Sequence, residues 1–222
     1  MRESLRFETL LFDIDGTLID SNGAHAQAWA QSLAEHGIVV PLDRVRRLIG
    51  MGADKLIPAV AGVSHESDVG RSLSERKKKI FSPLLPSLRP TRGARALLEF
   101  LRDRGVDLVI ATSAGDRELR ALLQQAGVDD LFEQHASKDD AEASKPDPDI
   151  VHAALAQSGA RPETAALIGD TPYDIEAASR AGIAAIALRC GGYWSDHDLR
   201  DAIGIFDDPA ALHESWGISL SR

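Results

Sequence analysis

The chain of 222 residues has a single cysteine, Cys190. It therefore cannot close an internal disulfide or build a thiolate metal cage by itself, which fits a reducing compartment such as the cytoplasm. No apolar stretch is long enough to span a bilayer, so no membrane partner is expected. Basic residues are outnumbered by acidic ones, 25 to 34, for a formal charge of -9. That surplus repels a polyanion, and nucleic acid is not an expected partner. The histidines lack the zinc spacing His-Glu-x-x-His, and the chain has no internal repeat or low-complexity tract. The opening run MRESLRFETLLFDIDG places charges around a short apolar stretch without a cleavage-like site, so the chain is expected to enter a strand directly.

Hydrophobic residues make up 44% and charged residues 27%, as in a globular protein with one or two domains. Four short apolar runs, Thr9 to Phe12, Val106 to Ala111, Ala165 to Ile168 and Ile183 to Leu188, read as strands buried on both faces. Weaker strands are expected near Leu131 to Ala136 and Ile203 to Phe206. Helical stretches at 94–104, 117–126, 149–158 and 174–181 alternate with these runs, several closed by glycine. This pattern predicts an α/β fold with a Rossmann-like parallel sheet. From Ser21 to Leu88 the alternation stops: 24–35, 43–49 and 71–81 look helical with no strand between them. The expected organisation is a core of residues 1–20 and 89–222 and an inserted all-helical cap domain at 21–88. Three prolines in 82–90 suggest a semi-rigid linker back to the sheet.

Asp13-Ile14-Asp15-Gly16-Thr17 follows the first strand at once, putting two carboxylates at the sheet edge where open parallel sheets bind ligands. By itself such a pair serves a turn as readily as a reaction. Thr112 and Ser113 follow the second strand, and hydroxyls and amides there suit phosphoryl oxygens, although Ser113 or Asp116 can simply cap the next helix. Lys145 precedes Pro146, which restrains the backbone and helps aim a cation that would suit phosphate charge. Gly169-Asp170-Thr171-Pro172-Tyr173-Asp174 adds two carboxylates after the third strand. Hard oxygen donors of this kind suit Mg²⁺.

Taken in order, Asp13-Ile14-Asp15-Gly16-Thr17-Leu18, Thr112, Lys145 before Pro146, and Gly169-Asp170 with Asp174 resemble the four motifs of the haloacid dehalogenase-like hydrolase superfamily, in the branch with a helical cap typified by phosphoglycolate phosphatase and beta-phosphoglucomutase. The resemblance implies a magnesium-dependent phosphatase for a small phosphorylated metabolite, active as a monomer or a dimer. Asp13 would be nucleophile and metal ligand, and Asp15 the proton shuttle and a metal ligand through its backbone carbonyl. Thr112 and Lys145 would hold the phosphoryl oxygens. Asp170 would be a metal ligand, with Asp174 assisting through water or orienting Lys145. Relatives carry a substrate-contacting cap loop where Gly50, Met51, Gly52 and Lys55 stand; Ser113 and His25 are further candidates for substrate contact. Gly50 to Gly52 read equally well as a helix-ending turn, Trp29 reads as cap core, and the basic run Arg76 to Lys79 as a solvated face.

Asp15 argues against carbon–halogen cleavage, since dehalogenases of the superfamily lack that second aspartate. Phosphonatase is disfavoured for the same reason, and Lys55 cannot be assigned as its Schiff-base lysine. A phosphomutase shares every motif, and a non-catalytic binder of phosphorylated metabolites is the reading from another class. Phosphate release with and without Mg²⁺ separates the enzymes from the binder, and a panel of phosphorylated metabolites tested with and without a bisphosphate activator separates phosphatase from mutase.

Overall fold

Branched and aliphatic side chains alternate across the first strand, so that Leu10 and Phe12 enter one apolar cluster and Leu11 the other, as a strand covered on both faces requires. The computed structural model describes residues 7–219; the charged residues 1–6 lie outside them. The chain runs through β1 (Thr9–Phe12) and β2 (Ile19–Asp20) into the helices α1 (Asn22–Glu35), α2 (Leu42–Arg46), α3 (Ala53–Ala61) and α4 (Asp68–Phe81). It returns through β3 (Arg89–Pro90) to α5 (Ala94–Arg102), β4 (Asp107–Ala111), α6 (Asp116–Ala126), β5 (Gln134–Ala136) and α7 (Asp149–Ser158). It ends with β6 (Ala165–Gly169), α8 (Pro172–Arg180), β7 (Ala184–Leu188), β8 (Gly204–Phe206) and α9 (Pro209–Ser219).

The main sheet has the order β5-β4-β1-β6-β7-β8, and every pair in it is parallel. β1 therefore lies at the centre, with β4 on one side and β6 on the other. The side chains just past the ends of these three strands meet at one edge. On one face Leu97, Leu98 and Leu101 of α5 and Leu119 and Leu122 of α6 cover the sheet. On the other, Ile150 and Val151 of α7 and Ile175, Ala177 and Ala178 of α8 do so.

The four helices between β2 and β3 have an apolar cluster of their own, with Trp29, Leu33, Val45, Ile49, Leu56, Ile57 and Leu73 buried together. Both passages between sheet and helices are tied by the antiparallel pairing of Ile19 with Pro90 and Asp20 with Arg89.

The structure departs from expectation in several places. The proline-bearing return, expected as a semi-rigid linker, takes the form of a 3-10 helix at Ser82–Ser87, in which Pro83 sits where a helix start lacks an N–H partner anyway. α3 was not expected; it begins after Gly52 and carries Pro58 inside it. α8 begins at Pro172, because Thr171 and Asp174 form a reciprocal capping box. α9 was likewise not expected.

Candidate active site

The Asp13 backbone N–H still donates to the Ile168 carbonyl at 2.9 Å, so its side chain leaves the sheet with the strand's rigidity. The chain then folds back tightly, with Gly16 N–H bonded to the Ile19 carbonyl at 2.8 Å. Gly16 has φ +78, and a Cβ on it would lie 2.2 Å from Asn22 Nδ2 and 2.4 Å from Asp170 Oδ2. Glycine is required there on both counts. Across β6, Asp170 is buried and takes hydrogen bonds from Asn22 Nδ2 at 2.8 Å and Thr17 Oγ1 at 3.3 Å. Asp174 stands at the first turn of α8, where its Oδ2 accepts from the Thr171 N–H at 3.0 Å and hydroxyl at 2.7 Å.

Lys145 is fully buried, and its Nζ lies 2.7 Å from Asp13 Oδ1 and 2.7 Å from Asp174 Oδ1. One oxygen each from Asp13, Asp170 and Asp174 fall within 4.8 Å of one another. Burial pushes the Asp13 carboxyl up to about 7 against the pull of Lys145, with Asp174 and Asp15 pushing the same way. Burial and repulsion from Asp174 and Asp13 likewise raise Asp170 well above the usual range. Burial opposes the charge on Lys145, but Asp13 and Asp174 outweigh it and keep the ammonium protonated. One ammonium among three buried carboxylates leaves an excess of negative charge. A hard divalent cation fits that excess and that donor set.

Asp15 is held differently. Its carboxylate sits 2.8 Å from His25 Nε2 and accepts from the Ser21 hydroxyl. Burial would raise it, but His25 and Ser21 prevail and lower it to about 2. His25 itself stacks on Phe81, ring centroids 3.9 Å apart, and is buried. It touches the carboxylate expected to shuttle protons, not open space where a substrate would contact it. Thr112 is buried at the end of β4, its hydroxyl accepting from the Ala114 N–H at 3.2 Å.

The loop before α3 lies against the core. Ser113 Oγ donates to the Gly50 carbonyl at 3.3 Å, and the Gly52 N–H donates to Ser144 Oγ at 3.0 Å. Met51 is half-buried beside them. Lys55 is engaged in an ion pair with Asp147. The basic run divides: Arg76 pairs with Glu35 on the surface, whereas Lys77 is buried, 3.1 Å from Glu118 Oε1 and 4.7 Å from the centre of the Phe81 ring. The expectation of a solvated face fails at Lys77, because it shares the buried stripe of α4 with Leu73 and Phe81. Ser21, Asn22, Asp54 and Ser144 were not singled out from the sequence. Ser21 and Asn22 offered a signal, being polar residues directly after the Asp13 motif, but α1 was expected to begin only at Ala24.

The profile of the haloacid dehalogenase-like hydrolases matches residues 7–182. A phosphoglycolate phosphatase of Rhodospirillum rubrum is 31% identical over 95% of this chain and 91% of its own length. A phosphorylated carbohydrates phosphatase of Thermotoga maritima is 28% identical over 97% of this chain and 94% of its own. The crystal structure of a hydrolase from Pseudomonas syringae superposes with a TM-score of 0.88 at 29% identity, covering 95% of this chain and 98% of that one. The residues expected from the motifs converge on one strand edge, and the profile spans that edge from β1 to the end of α8: the chain belongs to the haloacid dehalogenase-like hydrolase family.

Proposed function

We propose that this chain is a magnesium-dependent phosphatase that hydrolyses a small phosphorylated metabolite, of the phosphoglycolate or sugar phosphate class, through an aspartyl phosphate on Asp13. The observation that carries the reading is the buried Lys145 ammonium bridging Asp13 and Asp174 at 2.7 Å each, with Asp170 beside them. A carboxylate fixed next to a buried cation and a metal-competent cluster is arranged to accept a phosphoryl group, whose oxygens need positive charge on several sides. The names of the relatives, phosphoglycolate phosphatase and phosphorylated carbohydrates phosphatase, support the substrate class.

In this mechanism Asp13 attacks phosphorus in line, the bond to the ester oxygen breaks, and Asp15 gives its proton to the departing alkoxide. Water then attacks the aspartyl phosphate while Asp15 takes a proton from it, and the bond from phosphorus to Asp13 breaks to release inorganic phosphate. The resting Asp15 is ionised, as its contact with His25 dictates. The negative phosphoryl group entering beside it raises its proton affinity, so Asp15 takes up a proton from solvent with the substrate for the first half, and it gives the proton taken from water back to solvent when phosphate leaves. Lys145 and Thr112 hold phosphoryl oxygens. Asp13, Asp170 and the backbone carbonyl of Asp15 would hold Mg²⁺, with Asp174 near enough to join them. The ion supplies charge stabilisation to the transferring oxygens.

Residues 21–88 act as a cap that excludes water while the acyl phosphate exists. Their separate apolar cluster and the paired passages at β2 and β3 support movement as a body. The reaction takes place in the cytoplasm. Cys190 suits that setting: burial pushes its thiol up to about 12, so it stays protonated, and it donates to the Gly16 carbonyl at 3.1 Å.

The test is release of phosphate from phosphoglycolate, sugar phosphates and nucleoside monophosphates, with and without Mg²⁺. Wild type should turn over at least one of these only with the metal, and Asp13→Asn should lose about 10⁴-fold or more in kcat. Wild type that transfers phosphate to a sugar without releasing it would replace the phosphatase with a mutase. Metal-independent or absent turnover would remove the reading.

A further inference from the structure

Three consecutive contacts tie the start of α3 to the segment that carries Lys145. Ser144 Oγ donates to Asp54 Oδ1 at 2.6 Å, the Ser144 N–H donates to Asp54 Oδ2 at 3.1 Å, and the Gly52 N–H donates to Ser144 Oγ at 3.0 Å. Ser144 is fully buried. Both of its hydrogen-bond donors are thus satisfied by one carboxylate, itself carried by a helical unit with its own apolar cluster. The approach is close enough that a Cβ on Gly52 would lie 2.7 Å from Ser144 Cβ. One residue further on, Lys55 pairs with Asp147, and Asp147 also takes Arg180 Nη1 at 2.9 Å. Before Ser144 the loop is held from the core by the Ala143 N–H to Asp149 Oδ2 at 3.0 Å. Lys145 follows Ser144 directly and is the side chain that bridges Asp13 and Asp174.

We propose that Asp54 is a positioning residue for Lys145: by gripping Ser144 through both its N–H and its hydroxyl, it makes closure of the helical unit and placement of the Lys145 ammonium a single event. When the unit swings away, the Ser144 N–H and hydroxyl lose these partners and the backbone before Lys145 gains freedom. With the unit closed, the ammonium is set against Asp13. The cation needed for phosphoryl transfer is then fully aimed only while water is excluded, so transfer and protection of the acyl phosphate coincide. This inference rests on the phosphatase reading for its kinetic consequence, but not for its structural one.

Two measurements on the full chain test it. In steady-state hydrolysis, Asp54→Ala and Ser144→Ala should each lower kcat about 10- to 100-fold, with a smaller change in KM, a size usual for a coupling between two states. Asp54→Asn, which keeps one acceptor oxygen, should recover part of the loss. In a Lys145→Gln background Asp54→Ala should cost nothing further, because both act through one group. Amide hydrogen exchange supplies the readout that needs no catalysis: the Ser144 and Lys145 amides should exchange at least about tenfold faster in Asp54→Ala, as loss of a local opening barrier implies. Unchanged protection at these amides overturns the proposal whatever the enzyme does. An active wild type with Asp54→Ala within twofold of it, or losses that multiply with Lys145→Gln, overturns the proposal and leaves the phosphatase reading intact. A wild type without activity overturns the phosphatase reading, and exchange still decides the latch.

Discussion

At the strand edge, Asp13, Lys145, Asp170 and Asp174 are all buried and each follows or faces a strand of the central sheet. Across from them, the helical unit reaches the same place with Gly50, Gly52, Asp54, His25 and Lys77, and it does so through individual hydrogen bonds to loops and carboxylates. The edge is held by the backbone ladder and by apolar clusters on both faces of the sheet. The helical side has an apolar cluster of its own, and Ala28 and Phe81 join it to the cluster on one face of the sheet. On the function proposed above, chemistry would reside in the part held by the sheet, and control of access in the helical unit.

Adding one methyl group to each side should expose this difference most strongly. A Cβ on Gly191 would lie 1.7 Å from Asp170 Oδ2, and Asp170 has no room to retreat because Asn22 and Thr17 already hold it. Gly191→Ala should lower kcat about 10- to 100-fold, as displacement of a supporting contact at a metal site does, and should raise the Mg²⁺ concentration needed for half activity. The same change at Gly52 meets Asp54 Oδ1 and Ser144 Cβ, but here the helical unit can back away. Gly52→Ala should weaken closure and leave the Mg²⁺ titration where it was. Equal shifts of the Mg²⁺ midpoint in both variants would break the comparison.

The two regions should also titrate with opposite sign. Burial lifts Asp13 to about 7 and Asp170 well above its usual range. For a carboxyl raised on folding, the folded state binds more protons than the unfolded one between the two values, so stability falls as pH rises through the folded value. Metal-free protein should therefore lose stability from about pH 4 upward through pH 7 on account of these groups. On the helical side burial also opposes the Asp54 charge, but the two bonds from Ser144 outweigh it and leave the carboxyl below its usual value. Asp15 stands in the core but is gripped by His25 and Ser21 of the helical unit, and at about 2 it behaves in the same way. Groups lowered on folding give stability that is present above the unfolded value and lost as pH falls through the folded one, here below about pH 4. Melting curves in EDTA should peak at mildly acidic pH, and Mg²⁺ should raise the melting temperature far more at pH 8 than at pH 5, because the ion binds ionised carboxylates. An equal gain at both values would mean that the edge carboxylates are not the ligands.

The same division explains what could be read from the chain. Strand edges are written locally: an apolar run followed at once by Asp13, Thr112 or Asp170 gives both the element and the position of the side chain beyond it. All six strands of the main sheet fell in or next to expected runs, with boundaries off by a residue or a few, as at Gln134–Ala136. Asp54 and Ser144 are 90 residues apart, and neither stands in a pattern that periodicity can detect. Their pairing exists only once two units are packed together. α3 escaped notice because Pro58 argues against a helix interior, yet an apolar stripe through Leu56 and Ile57 packs it into the cluster around Trp29. Propensity lost to packing there.

The basic run on α4 offers the finest test of the contrast, since neighbouring side chains of like charge differ only in the direction they face. Lys77 puts its ammonium between the Phe81 ring and both oxygens of Glu118, at 3.1 and 3.2 Å, and is buried. Glu118 belongs to α6 of the core, so this pair spans the two units. Lys77→Ala strands a largely buried carboxylate, and about 2 kcal/mol of stability should go with it, as when a charged hydrogen bond loses one partner. Its loss should also favour opening of the helical unit and slow turnover. Arg76 pairs with Glu35 of α1, entirely within the helical unit and at the surface, where water and salt replace the interaction at little cost. Arg76→Ala should leave both melting temperature and kcat at wild-type values. Should the two variants behave alike, the charge of the run as a whole would matter rather than the one side chain that crosses between the units.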